Sequence, residues 1–206
     1  QTNAPEQLSE RHSMKIEINS RVESVKHSPT LAINQKVTEL RAQGRNVVHF
    51  GFGESPFPVP QSMVQTLKKN AGDSRYLPSQ GMEELRAGAA DYLHKRFGHD
   101  AAPDRIVVGP GSKELIFDMI LALKGDLILP YASWVSYAPQ GKLLGKKVIW
   151  AETDPDSGYR LTGKALETAC RRSKTGQKVM IFNSPNNPSG AVYSAKELKS
   201  IAAAAR

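Results

Sequence analysis

The chain has 206 residues, 39% of them hydrophobic and 23% charged, which is enough apolar material for one soluble α/β domain or one and a half. Its formal net charge is +8, but the basic residues are scattered and form no run or stripe, which argues against a nucleic-acid partner. Cys170 is the single cysteine, excluding an intrachain disulfide and a multi-cysteine metal site and fitting a reducing compartment; no apolar run marks a signal peptide or membrane span, so a soluble, cytoplasmic protein without membrane partners is expected.

Gln1 to Ser20 carries no apolar periodicity and reads as an arm. Ser28-Pro29 marks a helix entry, with Leu31, Ile33, Val37 and Leu40 as an imperfect stripe that Gly44 ends. Asn46 to Phe50 reads as a short strand and Gly51 to Pro60, GFGESPFPVP, as a glycine and proline turn. Gln61 to Asn70 is expected to be a helix with Met63, Val64 and Leu67 inward, followed by an extended Tyr76-Leu77-Pro78. Met82 to Phe97 is expected to be an amphipathic helix with Met82, Leu85, Ala89, Leu93 and Phe97 on one side, stopped by Gly98.

From Arg105 strands and helices alternate regularly. Strands are expected at Ile106 to Gly109, Leu127 to Leu129, Lys147 to Ala151 and Val179 to Phe182. Helices are expected at Lys113 to Lys124, Val135 to Leu144, Gly163 to Arg172 and from Ala195 onward, with a turn at Asp154 to Gly158. This alternation predicts a mostly parallel sheet between helices, a three-layer αβα domain. The last helix runs to Arg206 without a cap or a following strand, so the chain is expected to be the front part of something longer.

Lys178 to Gly190, KVMIFNSPNNPSG, joins an apolar strand to a long polar turn, where amides would face any ligand held beyond the strand ends of an α/β sheet. Gly109 to Lys113, GPGSK, sits where a strand passes into a helix. Glycines there let backbone approach an anion, and the unpaired first N–H groups and the helix dipole favour negative charge at Gly111, Ser112 and Lys113. The stretch lacks the G-x-G-x-x-G and G-x-x-x-x-G-K-[ST] spacings, and a plain tight turn is its alternative. Trp134, in PYASWVSY after a strand, can stack on a planar ring or belong to the core. Tyr76 can reach a phosphate or cap an apolar cluster. The 5 histidines are isolated and show no metal spacing, and Glu83-Glu84 and Asp154/Asp156 read as helix-start and turn residues, so no metal site is expected.

Taken together, SPTLAINQKVTELRAQG, GFGESPFP, RYLPSQGMEELR, GPGSKEL, PYASWVSY and NSPNNPSGAVYS resemble, in order and spacing from about Arg21 onward, the fold type I pyridoxal-phosphate-dependent aminotransferases of class I and II. The likeness is to the bacterial aspartate aminotransferase branch. It implies that residues 1–50 are an arm and a small-domain segment, and residues 51–206 the first part of the large cofactor-binding domain. It also implies that Gly111, Ser112 and Lys113 present donors to the phosphate of pyridoxal 5'-phosphate, that Trp134 stacks on the pyridine ring, and that Asn187 donates to the phenolic oxygen through a loop in which Asn187-Pro188 is cis. Gly53 would lie near the substrate α-carboxylate, and Trp134 and Asn187 would also line the substrate's place. Tyr76 would reach the phosphate of a neighbouring subunit in a homodimer, and Lys113 would meet a distal carboxylate of a dicarboxylic donor.

The implied reaction moves an amino group from an amino acid to a 2-oxo acid. Family members often read G-E-P-D-F where this chain has Gly53-Glu54-Ser55-Pro56-Phe57, a difference at the substrate mouth. The family's cofactor-bearing lysine, its aspartate on the pyridine nitrogen and its carboxylate-gripping arginine all correspond to positions beyond Arg206, so the catalytic lysine is unknown here and the chain by itself is expected to be inactive. A pyridoxal-phosphate-dependent lyase on the same scaffold, and a non-catalytic fragment that dimerises or binds anions, are the alternatives.

Overall fold

Five residues at the centre of the chain, Asp126–Pro130 (β1), carry the fold. The computed structural model describes residues 16–25, 29–51, 53 and 55–206; the expected arm over residues 1–15 and Ser28 of the expected helix entry lie outside them. β1 lies between Val148–Ala151 (β2) and Lys178–Met180 (β3) in a parallel sheet, with Leu127 opposite Val148 and Ile128 opposite Met180. Leu127, Ile128 and Leu129 are each no more than 1% exposed. Complete burial of such side chains stabilises by roughly 1.5–3 kcal/mol each, which is why an uninterrupted apolar run occupies the middle strand.

Alternation along β1 divides the core in two. Ile128 faces Ile149, Ala151, Leu161, Leu166, Ala169 and Ile201, beneath the helices Gly163–Arg171 and Ala195–Ala204. Leu127 and Leu129 face Ile120 and Tyr137, from the helices Ser112–Ala122 and Tyr137–Leu143. Helices therefore cover both faces, the expected αβα layering. The remaining helices precede the sheet: α1 (Ser20–Glu23), α2 (Pro29–Ala42), α3 (Gln61–Asn70) and α4 (Glu83–Phe97). The four core helices are accordingly α5 (Ser112–Ala122), α6 (Tyr137–Leu143), α7 (Gly163–Arg171) and α8 (Ala195–Ala204).

Local signals explain where several helices begin and stop. Thr162 accepts the Ala165 N–H at the start of α7, and Ser194 and Glu197 form a reciprocal capping box at α8. Gly98 takes the left-handed conformation and donates its N–H to His94 O, while His99 N–H donates to Leu93 O, ending α4. No described helix is long and apolar enough to cross a membrane.

The structure corrects several expectations. Asn46 to Phe50 forms no strand: the segment is irregular, and the Arg41 guanidinium donates to the Val47 carbonyl at 3.1 Å. Ile106 to Gly109 is also outside the sheet. Its backbone bonds to a loop instead, Val108 N–H donating to Gln80 O at 3.0 Å, while Gln80 Nε2 donates to the carbonyls of Asp104 (2.6 Å) and Ile106 (3.0 Å). α6 starts at Tyr137 rather than Val135, and β3 ends at Met180, although Ile181 N–H still reaches Ile128 O at 3.3 Å. The inward faces expected for α2, α3 and α4 are only partly covered: Val37, Leu40, Val64, Ala89 and Leu93 are half-buried, whereas Leu31, Ile33, Met63, Leu67, Met82, Leu85 and Phe97 are exposed. Periodicity marks a face that favours cover, and among the described residues nothing covers these.

Candidate functional site

Two loops meet beyond the carboxyl ends of β1 and β3. The first runs from Pro130 to Trp134, where Ser133 Oγ donates to Pro130 O at 2.7 Å. The second, Asn183 to Gly190, folds back on itself, with Asn186 N–H donating to Ala191 O at 2.9 Å and Gly190 N–H to Asn186 O at 2.7 Å. An isolated antiparallel bridge joins Ser133 to Pro188. Asn186 fastens the pair: its Nδ2 donates to Ala132 O at 3.1 Å and to Ser189 Oγ at 2.8 Å. Ser184–Pro185 and Asn187–Pro188 are both cis, the second as expected. With Asn186 occupied by the scaffold, Asn187 stands exposed beside it.

Trp134 is half-buried and belongs in part to the core. It packs on the cluster of Ile120, Leu127, Leu129 and Tyr137, meeting the Tyr137 ring edge to face at 5.7 Å and 75°. Burial raises the Tyr137 phenol above its ordinary pKa, so it remains a neutral packing group. Lys113 Nζ lies 4.7 Å from the centre of the Trp134 ring, a cation–π contact of roughly 0.5–1 kcal/mol where solvent reaches it.

α5 begins at the mouth of these loops. Gly111, its N-cap residue, has φ 114 and nothing within 4 Å of where a Cβ would stand. The N–H groups of Ser112, Lys113 and Glu114 have no carbonyl one turn earlier within the helix, so they and the positive end of the helix dipole are available to an anion. Gln140 of α6 donates its Nε2 to Lys113 O at 2.8 Å.

A cleft of about 580 Å³ opens between the loops and the N-terminal segments. Gly53, Lys113, Trp134 and Asn187 all line it, together with Ser136 and Phe50. Gly111 and Ser112 precede Lys113 at the helix start, outside the cleft lining, and Tyr76 is fully exposed away from it. Among the described residues no group of three or more His, Cys, Asp or Glu side chains is placed to hold a metal ion.

Sequence reasoning missed Asn186 and Gln140. The asparagine pair marked the loop but not the division of labour within it, in which Asn186 bonds to the scaffold and Asn187 is exposed. Gln140 left a fainter trace: it is the polar residue among the buried positions Tyr137, Gln140 and Gly141 of α6.

The family model for aminotransferase class I and II matches residues 45–206. A probable aspartate/prephenate aminotransferase of Aquifex aeolicus is 37% identical over 190 residues, covering 89% of this chain and 47% of that protein. An asparagine–oxo-acid transaminase of Streptococcus mutans is 33% identical, covering 89% of this chain and 48% of that protein. The chain thus spans about half the length of these curated relatives. The solved aspartate aminotransferase of Thermus thermophilus with maleate superposes with a TM-score of 0.84 at 32% identity, over 93% of this chain and 50% of that one. With six motifs in order, the αβα sheet and a family match over most of its length, the chain belongs to the class I and II aminotransferases.

Proposed function

We infer that the protein containing this chain is a pyridoxal-phosphate-dependent aminotransferase that moves an amino group between an amino acid and a 2-oxo acid. The observation that carries this reading is the convergence of Gly53, Lys113, Trp134 and Asn187, from four separate stretches, on one cleft beyond the strand ends. The donor set suits the cofactor. A helix start with free N–H groups, the Ser112 hydroxyl and open space before Gly111 suits a phosphate, the indole of Trp134 suits a planar ring, and the Asn187 amide suits a phenolic oxygen. When bound, the cofactor supplies the electron sink for chemistry at the substrate Cα.

The chain's own residues bind and orient. Trp134 is braced from behind by Tyr137, which holds its ring against sliding. The Asn187 side chain is aimed by a loop that Asn186 ties down. Gly53 leaves room near the α-carboxylate, and Lys113, over the Trp134 ring, supplies a cation to the cleft. No lysine of this chain is assigned to carry the cofactor. Lys113 beside the cleft supports a dicarboxylic donor, as does the Thermus relative's structure with maleate, a dicarboxylate.

Residues 1–50 would then be an arm and small-domain segment, and residues 51–206 the first part of the large domain. Tyr76 and Leu77, exposed with Met63 and Leu67, support a homodimer in which Tyr76 serves the neighbouring subunit's phosphate. Light scattering of the complete protein tests that, and a monomer at micromolar concentration would count against it. A cytoplasmic location follows from the same reading.

The functional test uses the complete protein with pyridoxal phosphate, aspartate and 2-oxoglutarate. Glutamate formation is expected, whereas ammonia release without any oxo-acid acceptor would favour the lyase reading. Lys113→Ala should lower kcat/KM for aspartate by about 10-fold or more, the loss of one charge-assisted contact, and spare alanine. Equal effects on both donors would remove Lys113 from the substrate's distal end.

A further inference from the structure

The short helix α6 touches the cleft's ring wall and its anion-facing helix start from behind. Tyr137, its first residue, is buried and braces Trp134. Gly141 lies so close to the sheet that a Cβ would stand 2.6 Å from Leu127 Cδ2 and 3.2 Å from Val148 Cγ2, which leaves α6 one seat on the sheet. From that seat Gln140, only 9% exposed, reaches the first turn of α5 and donates to the Lys113 carbonyl at 2.8 Å. The acceptor is a carbonyl, so the donor must be the amide nitrogen. Among the described residues Gln140 Oε1 then has no hydrogen-bond partner, although it is buried.

That arrangement is a poor way to fill space. A buried polar atom without a partner is destabilising, and an unbranched apolar side chain would occupy the same volume without that cost. What the amide does, and an apolar chain does not, is tie α5 to α6. α5 presents the N–H groups, while α6 carries the support of Trp134. Their spacing decides whether one ligand can satisfy both ends at once, since a ligand spanning two sites gains only when the sites are already held at its length.

The geometry points to Gln140 as a positioning residue that holds the phosphate-facing turn of α5 in register with the Trp134 ring wall. This rests on the reading of the cleft as a pyridoxal phosphate site. Gln140 acts through the Lys113 carbonyl and touches no ligand itself. Its removal should therefore weaken ligands that bridge phosphate and ring, and spare those that use one end.

The test uses the complete protein freed of cofactor and three probes: pyridoxine phosphate, which cannot bond covalently to a lysine, pyridoxine, and inorganic phosphate. Calorimetry reads the three affinities for the parent, for Gln140→Met, which keeps length without the donor, and for Gln140→Glu, which places an acceptor against the carbonyl. Gln140→Met should weaken pyridoxine phosphate by about 3- to 10-fold, the loss of one neutral hydrogen bond, and leave pyridoxine and inorganic phosphate within about 2-fold. Gln140→Glu should show the same selective loss, larger, and carries the test if the methionine variant does not fold. Parallel weakening of all three probes, or no change in any, overturns the inference while the cofactor reading stands. Failure of the parent to bind pyridoxine phosphate overturns both.

Discussion

Asn186→Ala probes how the cleft is held, because Asn186 joins the loop after β3 to the loop after β1. The substitution removes two hydrogen bonds, to Ala132 O at 3.1 Å and to Ser189 Oγ at 2.8 Å. Each contributes about 0.5–1.5 kcal/mol net. Ser189 Oγ keeps a second partner in the Ala191 N–H at 3.3 Å, and Asn186 is half-buried, so water offsets part of the loss. The sum is about 1–2 kcal/mol, or an opening equilibrium for the loop raised by about 5- to 30-fold. The backbone amides of Asn186 and Gly190, which close the turn on Ala191 O and Asn186 O, report that opening directly. Hydrogen exchange of the peptide over residues 183–191 in the complete protein should accelerate by that factor, with the amides of β1 unchanged as an internal reference. Exchange at the parent rate would mean that Asn186 does not hold the loop, and acceleration in β1 as well would mean that it acts on the whole sheet.

Gly125 enters β1 at φ 106, and a Cβ there would run into the Gln177 carbonyl, so Gly125→Ala combines backbone strain with a backbone clash. A loss of about 2–4 kcal/mol is expected, and a melting temperature equal to the parent's would contradict this placement of the turn. At α8 the Glu197 carboxyl is held below its ordinary pKa, first by the Ser194 hydroxyl, then by the Ser194 N–H, with Arg160 adding at 3.2 Å. A depressed folded pKa makes this cap's contribution complete above the ordinary glutamate range and lost as pH falls through the lowered value. Ser194→Ala should raise the Glu197 titration midpoint in a carbon-detected NMR pH series, and an unmoved midpoint would refute the capping-box account.

The sheet was legible because its middle strand is buried on both faces, and an apolar run such as Leu127 to Leu129 has few other uses. Helix α3 matches its expected bounds because prolines precede it and a polar, glycine-containing stretch follows. Asn46 to Phe50 and Ile106 to Gly109 misled because a short apolar run looks the same whether its backbone pairs with a strand or with a side chain such as Arg41 or Gln80. Lys113 and Trp134 were candidates from their own stretches, but only the resemblance to a family grouped them with Gly53 and Asn187, since nothing local ties one to another. Asn186 and Gln140 were not found because their partners lie 54 and 27 residues away in the chain. Only folding reveals which amide of a pair is committed to the scaffold.

The cleft's two walls differ in how they are supported. Lys113, Trp134 and Asn187 stand on elements fixed to β1, either by burial or by the Gln140 and Asn186 amides. Gly53 and Phe50 belong to a stretch between α2 and α3, where α3 has no buried residue and Phe50 itself is exposed. Formation of a helix and burial of its face are thus separate events: α4 is complete, with a left-handed Gly98 cap, yet buries none of its side chains. It follows that substitutions on the sheet wall act by displacing donors relative to one another. Those in the stretch between α2 and α3 change the cleft lining at Phe50 and Gly53 and leave the sheet intact.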